Sequence, residues 1–170
     1  MIRLSDFVID YFYKIGIRHV FTVSGGGSIF LCDSLQKSKK IQYIPCHHEQ
    51  AVSFAAESYA RQKNKISGAV VTTGPGGTNT ITGVSSCWID SIPTLFVSGQ
   101  VFLNQTIQKT GLRQLGVQEI DIISLVKPVT KYSVMIQDPN EIEFHLDKAV
   151  FEATSGRPGP VWIDIPANIQ

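Results

Sequence analysis

What constrains the fold most is an alternation. Along 170 residues, short apolar and β-branched segments take turns with longer stretches of helical periodicity. Repetition of that kind builds a parallel sheet covered by helices on both faces, because each strand-to-strand crossover is a helix that must pack back onto the sheet. The patterns predict strands over 19–23, 41–46, 67–73, 93–98, 131–136 and 161–165. The third carries Ala69, Val70, Val71, Thr72 and Thr73, the composition of a strand buried on both faces. A first helix, capped by Ser5 or Asp6, presents Phe7, Val8, Tyr11, Phe12 and Ile15 and stops at Gly16. Further helices are expected through Ile29, Phe30, Leu31 and Leu35, over 47–63, over 76–88, near 121–126 and over 140–153. Residues 101–118 show no period; a loop of that length is usually functional or mobile. The expected architecture is α/β, with three layers: a mostly parallel twisted sheet of about six strands and helices on both faces. The length fits one domain spanning 1–170.

Composition removes several classes of function. The formal net charge is +1, from 15 basic and 14 acidic residues, so no nucleic-acid face is expected. Lys37-Ser38-Lys39-Lys40 reads as a solvated turn. Cys32, Cys46 and Cys87 are scattered and odd in number, which argues for a reducing compartment and against a disulfide framework or structural zinc. No apolar run approaches the roughly 20 residues of a membrane helix, and the amphipathic start with Arg3, Asp6 and Asp10 is no signal peptide. A cytoplasmic protein without membrane contact is expected.

Three stretches carry candidate chemistry. Gly25-Gly26-Gly27 and Gly74-Pro75-Gly76 follow predicted strands, yet Phe30 and Asn79 stand where a dinucleotide fingerprint needs its third glycine, and neither loop continues as a P-loop. His47-His48-Glu49 looks metal-like, but adjacent helical residues point about 100° apart and cannot converge on one ion. Glu49 itself stands where the second strand hands over to a helix, the edge at which open α/β sheets bind ligands. Its plain reading is a first-turn acid stabilised by the helix dipole. The chemical reading is a carboxyl pulled toward its anion by the helix start and toward its acid by burial, able to share a proton with a ligand nitrogen.

Read together, these stretches resemble a known family. Gly16-Ile17-Arg18-His19-Val20-Phe21 with Gly25-Gly26, His48-Glu49-Gln50-Ala51 with Ala55-Ala56-Glu57-Ser58-Tyr59-Ala60-Arg61, Thr73-Gly74-Pro75-Gly76-Gly77-Thr78-Asn79, Asp90-Ser91-Ile92-Pro93, Ser98-Gly99-Gln100, Gln118-Glu119, Lys127-Pro128-Val129-Thr130-Lys131 and Gly156-Arg157-Pro158-Gly159-Pro160-Val161 with Ile163-Asp164-Ile165-Pro166 occur in order over nearly the whole chain. They resemble the pyrimidine-binding (PYR) domain of thiamine-diphosphate-dependent enzymes, nearest the acetolactate synthase group. The resemblance implies a 2-keto acid decarboxylase or carboligase in which Glu49 is catalytic, hydrogen-bonding N1′ of the cofactor's aminopyrimidine and favouring its 4′-imino tautomer. It implies that Gln118 is catalytic, near the reacting carbon, and that Gly25, Glu49, Pro75 and Asn79 bind thiamine diphosphate. It implies that Mg²⁺ and the diphosphate are held by a separate domain with a Gly-Asp-Gly…Asn segment, which this sequence does not contain. That domain would continue the same parent chain or belong to another subunit, the former being expected. A dimer through the PYR domain and FAD in a full-length parent are implied too. The alternative reading is a non-catalytic PYR-like interaction or regulatory module.

Two positions depart from the family. Ser24 replaces the proline usual before the Gly-Gly pair, and Val117 stands where acetolactate synthases commonly have Phe, which is expected to reshape the substrate pocket.

Overall fold

The computed structural model describes residues 2–108 and 110–170. In chain order the helices and strands are α1 (Leu4–Lys14), β1 (His19–Thr22), α2 (Ile29–Lys37), β2 (Gln42–Pro45), α3 (Glu49–Lys63), β3 (Ser67–Val71), α4 (Pro75–Thr78), α5 (Ile81–Asp90), β4 (Thr94–Gln100), α6 (Ile122–Val126), β5 (Tyr132–Met135), α7 (Ile142–Thr154) and β6 (Pro160–Pro166). All six strands are parallel, in the order β2-β1-β3-β4-β6-β5. Because side chains alternate across a strand, each strand feeds two cores. Val20, Val70, Leu95, Val97, Val161 and Ile163 meet α1, α2 and α7 on one face. Phe21, Ala69, Val71, Phe96 and Trp162 meet α3, α5 and α6 on the other. Crossovers that move one way along the sheet use the second face, and the two that move back (β1 to β2, β5 to β6) use the first, as a single hand of crossover requires. The three-layer α/β expectation holds, and the sheet is wholly parallel.

The order reverses twice. The chain leaves β1 for β2, then crosses to β3 on β1's other side; it leaves β4 for β5, then returns to place β6 between them. Ligands of open α/β sheets sit outside the carboxyl ends of strands at such reversals.

Several boundaries differ from the sequence reading, each for a tertiary reason. The α1 helix starts at Leu4 without a side-chain cap. Ser5 lies inside it, fully buried; its N–H donates to the Gln170 carbonyl (2.8 Å) and its hydroxyl accepts from Ser34 (3.0 Å). A distant carbonyl thus replaces the local cap. The helix expected over 76–88 is two pieces. Thr80 directs both its N–H (3.1 Å) and its hydroxyl (2.5 Å) to the Gly77 carbonyl, tightening the turn between them. The β4 strand continues to Gln100 because β6 pairs with it through Gln100↔Pro166. Among the described residues, no helix is long and apolar enough to cross a membrane. Among the described residues of the 101–118 stretch there is a single 3₁₀ turn, at Leu103–Gln105. The stretch is tied down by Glu119, which accepts from the Ile107 N–H (2.8 Å) and the Leu115 N–H (3.2 Å). Lys109 lies outside the described residues.

Candidate functional site

The first reversal gathers most of the residues singled out from sequence. Glu49 is the first residue of α3, just past the exit of β2. Its predecessor His48 caps the helix, Nδ1 accepting the Gln50 N–H at 3.1 Å. That assigns one of the two neighbouring histidines a structural job. Glu49 is half-buried, and its Oε2 accepts a hydrogen bond from Asn79 Nδ2 at 3.0 Å. Asn79 belongs to the loop that leaves β3, so two strand exits on either side of β1 meet at one carboxylate.

Thr72 packs these exits together. The β1 exit loop crosses it so closely that a Cβ on Gly25 would collide with its side chain, and Gly27 N–H donates to Thr72 Oγ1 at 3.1 Å. A Cβ on Gly76 would stand 2.6 Å from Thr72 Cγ2 and 3.6 Å from Glu49 Oε1. Glycine at 76 thus keeps the approach to that oxygen open. Sequence reasoning placed Thr72 only as a strand residue. The available signal was a pair of threonines ending an otherwise apolar strand.

Pro75 and Gln118 meet at a cleft of about 330 Å³, which Gly74, Thr78, Gln114 and Ile120 also line. Their closeness is a backbone matter. Gly74 holds φ +60°, and a Cβ there would strike the Gln118 carbonyl. Gln118 itself holds φ +56°, uncommon for a residue with a side chain and a conformation that clusters at functional sites. Val117 is 81% exposed and lines none of this cleft. The structure therefore joins Glu49 to Asn79 directly, Gly25 and Gly76 through Thr72, and Pro75 to Gln118 through the cleft.

The second reversal holds a larger crevice of about 440 Å³, bounded by Gln100, Glu119, Asp121, Ser133, Met135 and Asp164. Its acids are already committed. Glu119 holds the loop, and Asp121 caps α6 through the Ser124 N–H (3.1 Å). Asp164, 1% exposed, accepts from Ser98 Oγ (2.5 Å) and Gln100 Nε2 (3.0 Å), and burial pushes it up to about 7. Gln100 also donates to the Ile120 carbonyl (3.1 Å) and accepts from Thr73 Oγ1 and the Val101 N–H (3.0 Å). This network braces the β3 and β4 exits from below. At the first reversal, by contrast, Glu49 Oε1 has no hydrogen-bond donor among the described residues. Among the described residues, no group of three His, Cys, Asp or Glu side chains could hold a metal ion.

Residues 2–125 match the family model described as "Thiamine pyrophosphate enzyme, N-terminal TPP binding domain". The chain is 36% identical over 165 residues to the acetolactate synthase large subunit of Buchnera aphidicola, covering 97% of this chain and 28% of that protein. It is 34% identical over 166 residues to the acetolactate synthase large subunit of Lactococcus lactis, covering 98% and 28%. It is 34% identical over 169 residues to the chloroplastic acetolactate synthase of Arabidopsis thaliana, covering 98% and 24%. The chain thus spans about a quarter of the length of the relatives it matches.

Proposed function

The chain belongs to the thiamine pyrophosphate enzymes, through their N-terminal TPP binding domain, and on that premise we propose that it supplies the pyrimidine side of an active site for 2-keto acid decarboxylation and carboligation of the acetolactate synthase kind. When bound, thiamine diphosphate supplies a nucleophilic carbon that adds to a keto carbonyl and holds the electron pair left by CO₂. Glu49 is the residue that shares a proton with the aminopyrimidine ring nitrogen N1′, through Oε1. The residues present fit that ligand: Oε1 lies beside a position without a Cβ, at a strand-order reversal, with Gly25 and Pro75 on the loops to either side. Gln118 faces the reacting end, across the cleft from Pro75.

The diphosphate and its Mg²⁺ are assigned to a diphosphate-binding domain, in the same longer chain or in a separate subunit. A second copy of the domain is assigned to the face of α3 and α5, where Phe54 (38%), Trp88 (42%) and Ile89 (68%) are exposed. Part of the small-residue pattern on these helices serves the chain itself, since Gly83 packs against Ser53 so closely that a Cβ would collide. Glu57 of α3 ties the same pair of helices by accepting from Ser86 of α5 (3.1 Å). The reading of a non-catalytic module is disfavoured by the retained carboxylate and its partner.

The observation that carries the proposal is the half-buried Glu49 carboxylate with one oxygen engaged by Asn79 and the other open. The test is CO₂ release from pyruvate by the holoenzyme containing this domain, with thiamine diphosphate and Mg²⁺ added. Glu49→Gln is expected to slow release by about 10³-fold while the fold survives. Turnover near that of the unmodified protein would overturn the assignment.

A further inference from the structure

Glu49 has two oxygens, and the fold treats them differently. Oε2 receives the Asn79 amide at 3.0 Å. Oε1 has no protein donor among the described residues and lies beside Gly76. The torsion that turns a glutamate carboxyl about its last bond is broad and roughly two-fold. Without an external partner, neither oxygen would be presented in preference to the other.

The partner is itself held. Asn79 follows α4, and its N–H donates to the Pro75 carbonyl at 2.9 Å, while the Thr78 N–H donates to the Gly74 carbonyl at 3.0 Å. That turn springs from Gly74 at φ +60°, a backbone conformation that disfavours a side chain. Facing a carboxylate, only the nitrogen end of an amide can bond; the oxygen end would repel. The loop therefore fixes both where the Asn79 side chain stands and which way it is turned.

We propose, resting on the reading of Glu49 as the proton partner of a bound aminopyrimidine, that Asn79 is a positioning residue for that carboxylate. Its amide engages Oε2, stops the carboxyl from turning and presents Oε1 to the ring nitrogen. Asn79 thus acts on the reaction through Glu49, and the loop from Gly74 to Asn79 is an aiming device for a side chain on another strand exit.

Two measurements test this. The first uses the chain without cofactor. In its ¹H–¹⁵N spectrum, one Asn79 side-chain amide proton is expected to lie downfield and to exchange slowly; Glu49→Ala, which leaves no acceptor, should remove that signature and leave the backbone signals of β3 and α5 in place. The second is a double-mutant cycle in the holoenzyme, read as the rate at which the thiazolium C2 proton of bound thiamine diphosphate exchanges with deuterium. Asn79→Ala is expected to slow exchange by on the order of 10²-fold, the cost of a small misplacement of a reacting group. The isosteric Asn79→Asp, which sets a second carboxylate against the first, should slow it further. In the Glu49→Gln background, Asn79→Ala should change nothing more. An equal slowing in both backgrounds, or exchange within twofold of the unmodified enzyme in Asn79→Ala, overturns the positioning role and leaves Glu49 intact. If Glu49→Gln itself does not slow exchange, the functional reading falls and the role of Asn79 falls with it.

Discussion

Two carboxylates stand at the carboxyl-end edge of one parallel sheet, Glu49 just after β2 and Asp164 within β6. Glu49 is half-buried, accepts one side-chain hydrogen bond, and keeps an oxygen beside a glycine. Asp164 is 1% exposed, accepts from Ser98 and Gln100, and sits under a second strand-order reversal. The difference separates two uses of the same chemical group. A carboxyl whose oxygens are all engaged inside the protein can brace strands but has nothing left for a ligand. A carboxyl with one oxygen engaged is held in place and still available. Burial alone, and a shifted proton affinity alone, would have selected Asp164 as the functional group. Hydrogen-bond accounting favours Glu49, in keeping with the role proposed for it.

The contrast breaks first at the larger group. Glu49→Gln keeps the shape and can still face Asn79, so the melting temperature should stay close to that of the unmodified chain. The holoenzyme should lose about 10³-fold in turnover, within the range for removing an acid–base group. A comparable loss of turnover in a folded Asp164→Asn variant would erase the distinction drawn between the two residues.

Asp164 should reveal itself through stability instead. Its ordinary value is 3.8, and burial holds it up to about 7 in the folded chain. Between those values the folded chain keeps a proton that the unfolded chain has lost. The stability this residue contributes is therefore complete below about pH 4 and lost as pH rises through about 7, by roughly 4 kcal/mol across the window. Urea midpoints measured at pH 5 and pH 8 should fall more for the unmodified chain than for Asp164→Asn. Equal falls would remove the buried carboxyl as the cause.

The loop that serves Glu49 should be costly to alter by even one methyl group. Gly74→Ala meets both a positive φ and the Gln118 carbonyl. It is expected to lose about 2 kcal/mol of stability and to displace Gln118 from the cleft. Chemical denaturation together with the Gln118 amide signal checks both.

The smallest effect has the opposite sign. Gln118→Gly relieves a left-handed backbone at a side-chain-bearing residue. It should raise stability by about 0.5–1 kcal/mol while lowering turnover. A variant that is no more stable would mean that φ +56° carries no strain at this position.

Much of the molecule could be read from the chain alone. Apolar runs placed the central strands β3, β4 and β6, because a parallel strand buried on both faces is apolar along its length, and the alternation with helical patterns placed the partly exposed edge strands β2 and β5. Glu49, Gly25, Pro75 and Asn79 stood out because each belongs to a motif next to a strand end, and Gln118, inside the long loop after β4, through the family resemblance alone. The boundaries that moved did so where a remote group intervened: the Gln170 carbonyl at the start of α1, the β6 ladder at the end of β4. No local pattern records such partners.

Sequence, then, determined the fold class and the layering of helices on both faces, which follow from the periodicity and order of residue types, while Glu49 stood out through the family its motifs resemble. Tertiary structure decided what each polar group is for. Sheet order brought the β2 and β3 exits together over β1, and only that meeting pairs Asn79 with Glu49. The same order put Asp164 between β4 and β5, where its oxygens are used up by Ser98 and Gln100. A side chain's type sets what it can donate or accept. Its neighbours across the sheet, many residues away in sequence, set how much of that capacity remains for a ligand.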